Sequence, residues 1–262
     1  MTARRPDPDA VWGVFGRHMN ALYGPPPGHQ FESGPGHFIC LSGAPHLELN
    51  FAAAYGTATR ADIAGIARLL DERALPTVIG VAPHLAPLAG RILTGPEYVR
   101  LAQAEPLMWF DGAPPRPEDG PFAIREVGSE RDRAAFFDVI AAAKGLDPAA
   151  LAGNYALAGS TRAWLAWDGD EALSGVVLTT EGSAIGVWEM MTAPGHRRRG
   201  AGQAVLTAAM SAAWAPGVEG FFLWSTPLGR PLYASVGYRV LSETGVWTRA
   251  ATEEELRAVG QA

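Results

Sequence analysis

The sequence predicts an α/β protein of the α+β kind, with a mixed, mostly antiparallel, twisted sheet flanked by helices and built as two tandem modules. Three observations predict it. Apolar runs of strand length alternate with segments of helical period along all 262 residues. A proline-rich polar stretch interrupts them near the middle. The segments on its two sides also repeat one another weakly, in the order helix, strand, helix, glycine.

The first segment opens with an amphipathic helix from Asp9 to Leu22, stopped by Gly24 and the three prolines behind it. Strand-like runs follow at His37–Leu41 and Leu47–Phe51. A helix over Arg60–Arg73, a strand at Pro76–Val81 and a short helix near Leu85–Leu93 complete it. Residues 111–121 (Asp-Gly-Ala-Pro-Pro-Arg-Pro-Glu-Asp-Gly-Pro) have the composition of a linker. This divides the chain into an N-terminal module over 1–110 and a second domain over 122–262.

The second domain reads as a strand at Phe122–Val127, a helix at Glu130–Lys144 stopped by Gly145, and a shorter helix at Asp147–Leu157. Ala163–Trp167 and Leu173–Thr180 form a hairpin around Asp168-Gly169-Asp170-Glu171. Ile185–Thr192 is the third strand of this meander. A helix at Gly200–Ala213, a strand at Phe221–Ser225, a helix at Pro231–Val236 and a strand at Tyr238–Thr248 follow. Shifting the first half by about 142 residues lays Asp62–Arg73 on Ala204–Ala215 and Gly95 on Gly237, the pattern of an ancient duplication.

Composition narrows the function. The net charge of −6 is shared equally by the two halves, so there is no basic stripe for a nucleic acid. Cys40 is the sole cysteine, which excludes an intramolecular disulfide and a zinc knuckle. The six histidines show no metal-ligand spacing, and no metal is expected. No apolar stretch follows the N-terminal arginines to make a signal peptide, and no run nears the roughly 20 apolar residues that span a bilayer. The expectation is a bacterial, cytoplasmic protein without a membrane or nucleic-acid partner, as monomer or homodimer. Lys144 is the only lysine beside twenty arginines, which reads as a genomic bias.

Residues 192–203, Thr-Ala-Pro-Gly-His-Arg-Arg-Arg-Gly-Ala-Gly-Gln, join a strand to a helix. Pro194 ends the strand, having no ladder donor. Gly200 and Gly202 remove side chains where the backbone enters the helix. Successive N–H groups can then converge on an anion at the positive end of the helix dipole. Arg197, Arg198 and Arg199 add positive charge. A Walker loop is absent, and a dinucleotide fingerprint would follow the first strand of a βαβ unit.

Arg197-Arg198-Arg199-Gly200-Ala201-Gly202 resembles the Q/R-x-x-G-x-G/A motif of the GNAT N-acetyltransferase superfamily. Downstream, Pro231-Leu232-Tyr233-Ala234-Ser235-Val236-Gly237-Tyr238 resembles that family's Leu-Tyr-x-x-x-Gly-Phe/Tyr signature. The resemblance covers about residues 122–249. It implies a GNAT-like fold and acetyl-CoA as acyl donor. Ile185–Thr192 should splay from the strand at Phe221, so that backbone groups of Met190, Met191 and Thr192 pair with the pantetheine arm. The amides from Arg198 through Gly200, Ala201 and Gly202 to Gln203 should hold the pyrophosphate. Ser225 stands where many relatives have asparagine near the pantetheine.

By the same resemblance Tyr233 is the acid that protonates the departing thiolate. Glu189, on the strand of the pantetheine contacts, is a candidate base toward the acceptor amine, or alternatively holds a neighbouring group. Buried without a partner, its carboxyl should titrate high. The leading function is transfer of an acetyl group from acetyl-CoA to a primary amine, of a small molecule, in a ternary complex. The alternatives are a protein lysine or N-terminus as acceptor, and a non-catalytic acyl-CoA sensor or scaffold.

In the first half the matching loop is 54–62, Ala-Tyr-Gly-Thr-Ala-Thr-Arg-Ala-Asp. One glycine remains, the arginine cluster is gone, and Asp62 puts negative charge where a pyrophosphate would dock. A non-catalytic module is the expectation.

Overall fold

The computed structural model describes residues 5–24, 28–117, 119–253 and 255–256. In chain order its strands are β1 (Gln30–Gly34), β2 (His37–Leu41), β3 (Asn50–Ala54), β4 (Thr77–Val81), β5 (Tyr98–Arg100), β6 (Glu105–Asp111), β7 (Ala123–Glu126), β8 (Thr161–Asp168), β9 (Glu171–Glu181), β10 (Ala184–Thr192), β11 (Gly220–Trp224) and β12 (Arg239–Arg249). The helices are α1 (Pro8–Tyr23), α2 (Arg60–Arg73), α3 (Ala86–Ala89), α4 (Glu130–Lys144), α5 (Pro148–Ala152), α6 (Ala201–Ala213) and α7 (Arg230–Val236). From residue 122 onward this is the order read from the sequence.

The chain packs into two compact units that do not follow chain order. The first comprises the described residues up to Met108, Trp224–Pro231 and the described residues from Arg239 on. The second comprises Trp109–Leu223 and Leu232–Tyr238. These two units do not divide at residues 111–121. β6 is divided after Met108, and β12, at the end of the chain, belongs to the first unit. There β12 pairs antiparallel with β4 from Gly245↔Val81 to Arg249↔Thr77, and with β5.

Within the first unit β1, β2 and β3 form an antiparallel meander, and β3 then pairs in parallel with β4. Helix α2 is the crossover that a parallel pair requires. The second unit repeats this plan. β7, β8, β9 and β10 are antiparallel neighbours, and β10 pairs in parallel with β11 across helix α6. Both units thus carry the mostly antiparallel sheet, with one parallel step each, that the sequence predicts.

Helix α4 shows how the second unit is assembled. Ser129 and Asp132 form a reciprocal capping box at its start, and Gly145 ends it in the left-handed conformation, φ 71°. Phe136, Phe137, Val139 and Ile140 are buried along one face. Gly175 in β9 leaves room for this helix, since a Cβ there would come within 3.1 Å of the Phe136 ring. Trp164, Trp167 and Trp188 are buried core residues, as expected of central strands. In the first unit Trp224 meets Trp12 edge-on at 5.4 Å.

Several elements differ from the sequence reading. β1, β5 and β6 were not anticipated: β1 and β5 are short and partly exposed, which leaves no clear apolar alternation. Leu47–Phe51 is a 3-10 turn at Leu47–Leu49 feeding β3. The helix expected near Leu85–Leu93 shrinks to a turn at Pro83–Leu85 and the single turn α3. Asp147–Leu157 is helical only over α5, which Gly153 follows. Among the described residues no helix is long and apolar enough to cross a membrane.

Candidate active site

Strand β10 is regular as far as Trp188 and then breaks register with β9 before Met191. Such a bulge holds an extra residue and re-aims a side chain. Glu189 lies within it at φ +48°, a left-handed conformation that costs a residue with a Cβ roughly 1–2 kcal/mol. The flanks of the bulge are pinned to β9. Trp188 donates its indole N–H to Thr179 Oγ1 at 2.6 Å, and the Ser174 hydroxyl donates to the Met191 carbonyl at 2.7 Å.

The Glu189 carboxylate is buried, with its side chain 9% exposed, and it is not alone. Tyr155, which follows α5, donates its hydroxyl to Glu189 Oε1 at 2.7 Å. Lys144, the last residue of α4, places Nζ 3.2 Å from Oε2, with its own side chain 5% exposed. Oε2 accepts no well-aligned hydrogen bond among the described residues, so this second contact is an ion pair. Glu189 therefore has partners on both carboxylate oxygens, as in the reading in which it holds a neighbouring group. The partners come from helices packed against β10, which the strand's own sequence cannot show. Lys144 and Tyr155 escaped the sequence reading; the one available signal was a sole lysine placed at a helix end.

Tyr233 is the fourth residue of α7 and is 9% exposed. Its ring meets Tyr238 edge-on at 5.7 Å. The tight turn after α7 uses Gly237 at φ +111°, which lets the Gly237 and Tyr238 amides both return to the Tyr233 carbonyl. Burial pushes the Tyr233 phenol well above its ordinary range, and the negative charge of Glu189 pushes it further. The phenol therefore stays protonated at neutral pH and is a donor.

β10 and β11 are in parallel register only from Ala184↔Gly220 to Gly186↔Phe222. β10 continues to Thr192 beyond the end of this pairing. Met190, Met191 and Thr192 lie on that free stretch and are half-buried.

The loop after β10 leads into α6. Gly200 is the N-cap residue at φ +89° and supplies no side chain to cap the helix. Gly202 sits closely over the end of β10: a Cβ there would come 3.3 Å from Thr192 Oγ1 and 3.4 Å from Met190 Cε. Among the described residues no side chain caps the amide end of this 13-residue helix, whose first turn is Ala201, Gly202 and Gln203. Helix α2 makes the opposite arrangement. Asp62 accepts from the Thr59 amide at 2.7 Å and donates its own amide to Thr59 Oγ1, so that helix caps itself. These hydrogen bonds hold the Asp62 carboxyl below its ordinary range.

The three loop arginines are not equivalent. Arg199 is paired with Asp168 at 2.8 Å and approaches His196 Nδ1 at 3.1 Å, while His196 pairs with Glu171 at 3.0 Å. The Arg197 Nε donates to the Thr192 carbonyl at 3.4 Å. Arg198 is exposed at φ +66°. Ser225 lies in the other compact unit, buried, where its amide donates to the Pro106 carbonyl and its hydroxyl to the Thr226 carbonyl.

Comparison with known proteins agrees with this architecture. Residues 159–240 match the model of an acetyltransferase (GNAT) domain. A GCN5-related N-acetyltransferase from Kribbella flavida is similar with a TM-score of 0.69 at 14% identity, over 93% of this chain and 96% of that one. A putative GNAT-family acetyltransferase from Novosphingobium aromaticivorans gives 0.58 at 16% identity, over 94% and 98%. A tandem GNAT protein from the clavulanic acid biosynthesis pathway gives 0.55 at 14% identity, over 96% and 91%. No curated protein matches the chain. The fold over nearly the whole chain is that of these GNAT structures, and residues 159–240 resemble a GNAT acetyltransferase domain.

Proposed function

We propose that this protein transfers an acetyl group from acetyl-CoA to a primary amine of a small molecule, and that the second unit does the chemistry. The observation that carries the reading is the contrast between two helix starts. α6 begins at a left-handed glycine with no side-chain cap, at the end of a strand that has parted from its neighbour. α2, its counterpart in the repeat, is closed by Thr59 and Asp62.

Acetyl-CoA fits the residues of the second unit. The first-turn amides of α6 and the neighbouring Arg198 would hold its pyrophosphate, and the free stretch Met190–Thr192 would pair with its pantetheine arm. The donor supplies the activated acyl group. Tyr233 contributes the proton that the sulfur takes up as the C–S bond breaks and the new C–N bond forms. Glu189 takes the proton that the amine loses, directly or through a water. Its two oxygens have about four lone-pair sites, more than Tyr155 and Lys144 engage. Each step is thus a proton held or moved at a named atom of this chain.

The test is acetyl-CoA-dependent release of free thiol over a panel of small amines, with Tyr233→Phe as the control. Turnover on at least one amine, strongly reduced in the control, is the expected result. Tight acetyl-CoA binding with no transfer to any amine would overturn the enzyme reading in favour of a sensor.

A further inference from the structure

Lys144 and Glu189 are 45 positions apart, yet they meet as a buried ion pair in a protein with no other lysine. Tyr155 completes the arrangement from the opposite carboxylate oxygen. The residue held in this way is the one in the strained left-handed conformation, at the point where β10 loses register with β9. Immediately beyond it lie Met190, Met191 and Thr192. The two donors to Glu189 come from outside β10, at the end of α4 and in the segment after α5.

We propose that Lys144 and Tyr155 are positioning residues: they clamp the Glu189 carboxylate, fix the bulge, and so set where Met190–Thr192 present their backbone to the acyl-CoA arm. The inference rests on the acyl-CoA reading given above. It adds that the donor-binding strand is held from the end of α4 and the segment after α5. Loosening the clamp displaces the strand edge without touching Tyr233 or the α6 amides.

The experiment uses the full chain and measures acetyl-CoA binding by calorimetry, with melting curves for every variant. Tyr155→Phe removes one hydroxyl and should weaken acetyl-CoA about fivefold. Lys144→Met should weaken it tenfold or more, while the KM for the amine stays within twofold. In a Glu189→Gln background, Lys144→Met should change acetyl-CoA affinity less than twofold, because the clamp is already broken. Equal losses in both backgrounds, or variants that bind as the wild type does, would overturn the clamp alone. If Lys144→Met does not fold, Tyr155→Phe decides on its own. A wild-type protein that binds no acetyl-CoA would overturn the acyl-CoA reading, and the clamp with it.

Discussion

The ammonium of Lys144 stands 3.2 Å from Glu189 Oε2, and both side chains are more than nine-tenths buried. Two opposite charges so placed stabilise each other only as long as both are present, because each alone would face a poorly solvating interior. The pair therefore links the end of α4 to the bulge of β10 conditionally: removing one partner costs more than removing both.

Glu189→Gln should accordingly lower stability by about 3 kcal/mol, since it removes the negative charge 3.2 Å from a buried ammonium. The double variant Lys144→Met with Glu189→Gln should recover most of that loss. Urea denaturation with an unchanged slope is the measurement. Additive losses in the double variant would show that the two residues act separately.

Tyr233→Phe should lower turnover about 100-fold and leave acetyl-CoA affinity within twofold. The phenol packs against Tyr238, and phenylalanine keeps that edge-on contact. A variant that turns over at the wild-type rate would remove Tyr233 from the chemistry.

Acidification should stabilise the first unit. Burial, with the charge of Glu48 adding to it, raises the Glu105 carboxyl to about 8. The unfolded chain releases that proton near pH 4.3. Between these values the folded protein holds a proton that the unfolded chain does not, so stability falls as pH rises through this window. Melting temperature should decline from pH 5 to pH 8, and Glu105→Gln should flatten the decline. Parallel melting profiles for the two proteins would contradict it.

Gly200→Ala should cost roughly 1–2 kcal/mol, because φ +89° is closed to a residue with a Cβ. A shift of the thermal midpoint reads it directly. The same substitution at Gly195, where a Cβ would meet nothing within 4 Å and no positive φ is required, serves as the neutral comparison.

Much of this architecture was legible in the sequence for reasons that can be named. Ser129, Asp132 and Gly145 mark the ends of α4, and the Asp-Gly turn fixes the β8–β9 hairpin. Gly200, Gly202 and Tyr233 stood out through their resemblance to the GNAT motifs, and they support the coenzyme site proposed above. What escaped was non-local. The sequence of β12 specifies a strand but not that its partners are β4 and β5, more than 140 positions upstream. Glu189 was visible as an acid in an apolar strand, whereas its partners became visible only with α4 and α5 in place. A lysine at a helix end has an ordinary local explanation, as a charge complementing the helix dipole, and that explanation conceals the buried pair.

The seclusion of Lys144 has a practical side. Its amine is the only lysine amine in the chain, and it is held against a carboxylate out of reach of solvent. Under the proposed reading, a reactive thioester would meet no exposed lysine on this chain. In an acetylation assay the protein should add little lysine background, and any modification of Lys144 by an amine-directed label in the intact protein would report that α4 has pulled away from the bulge.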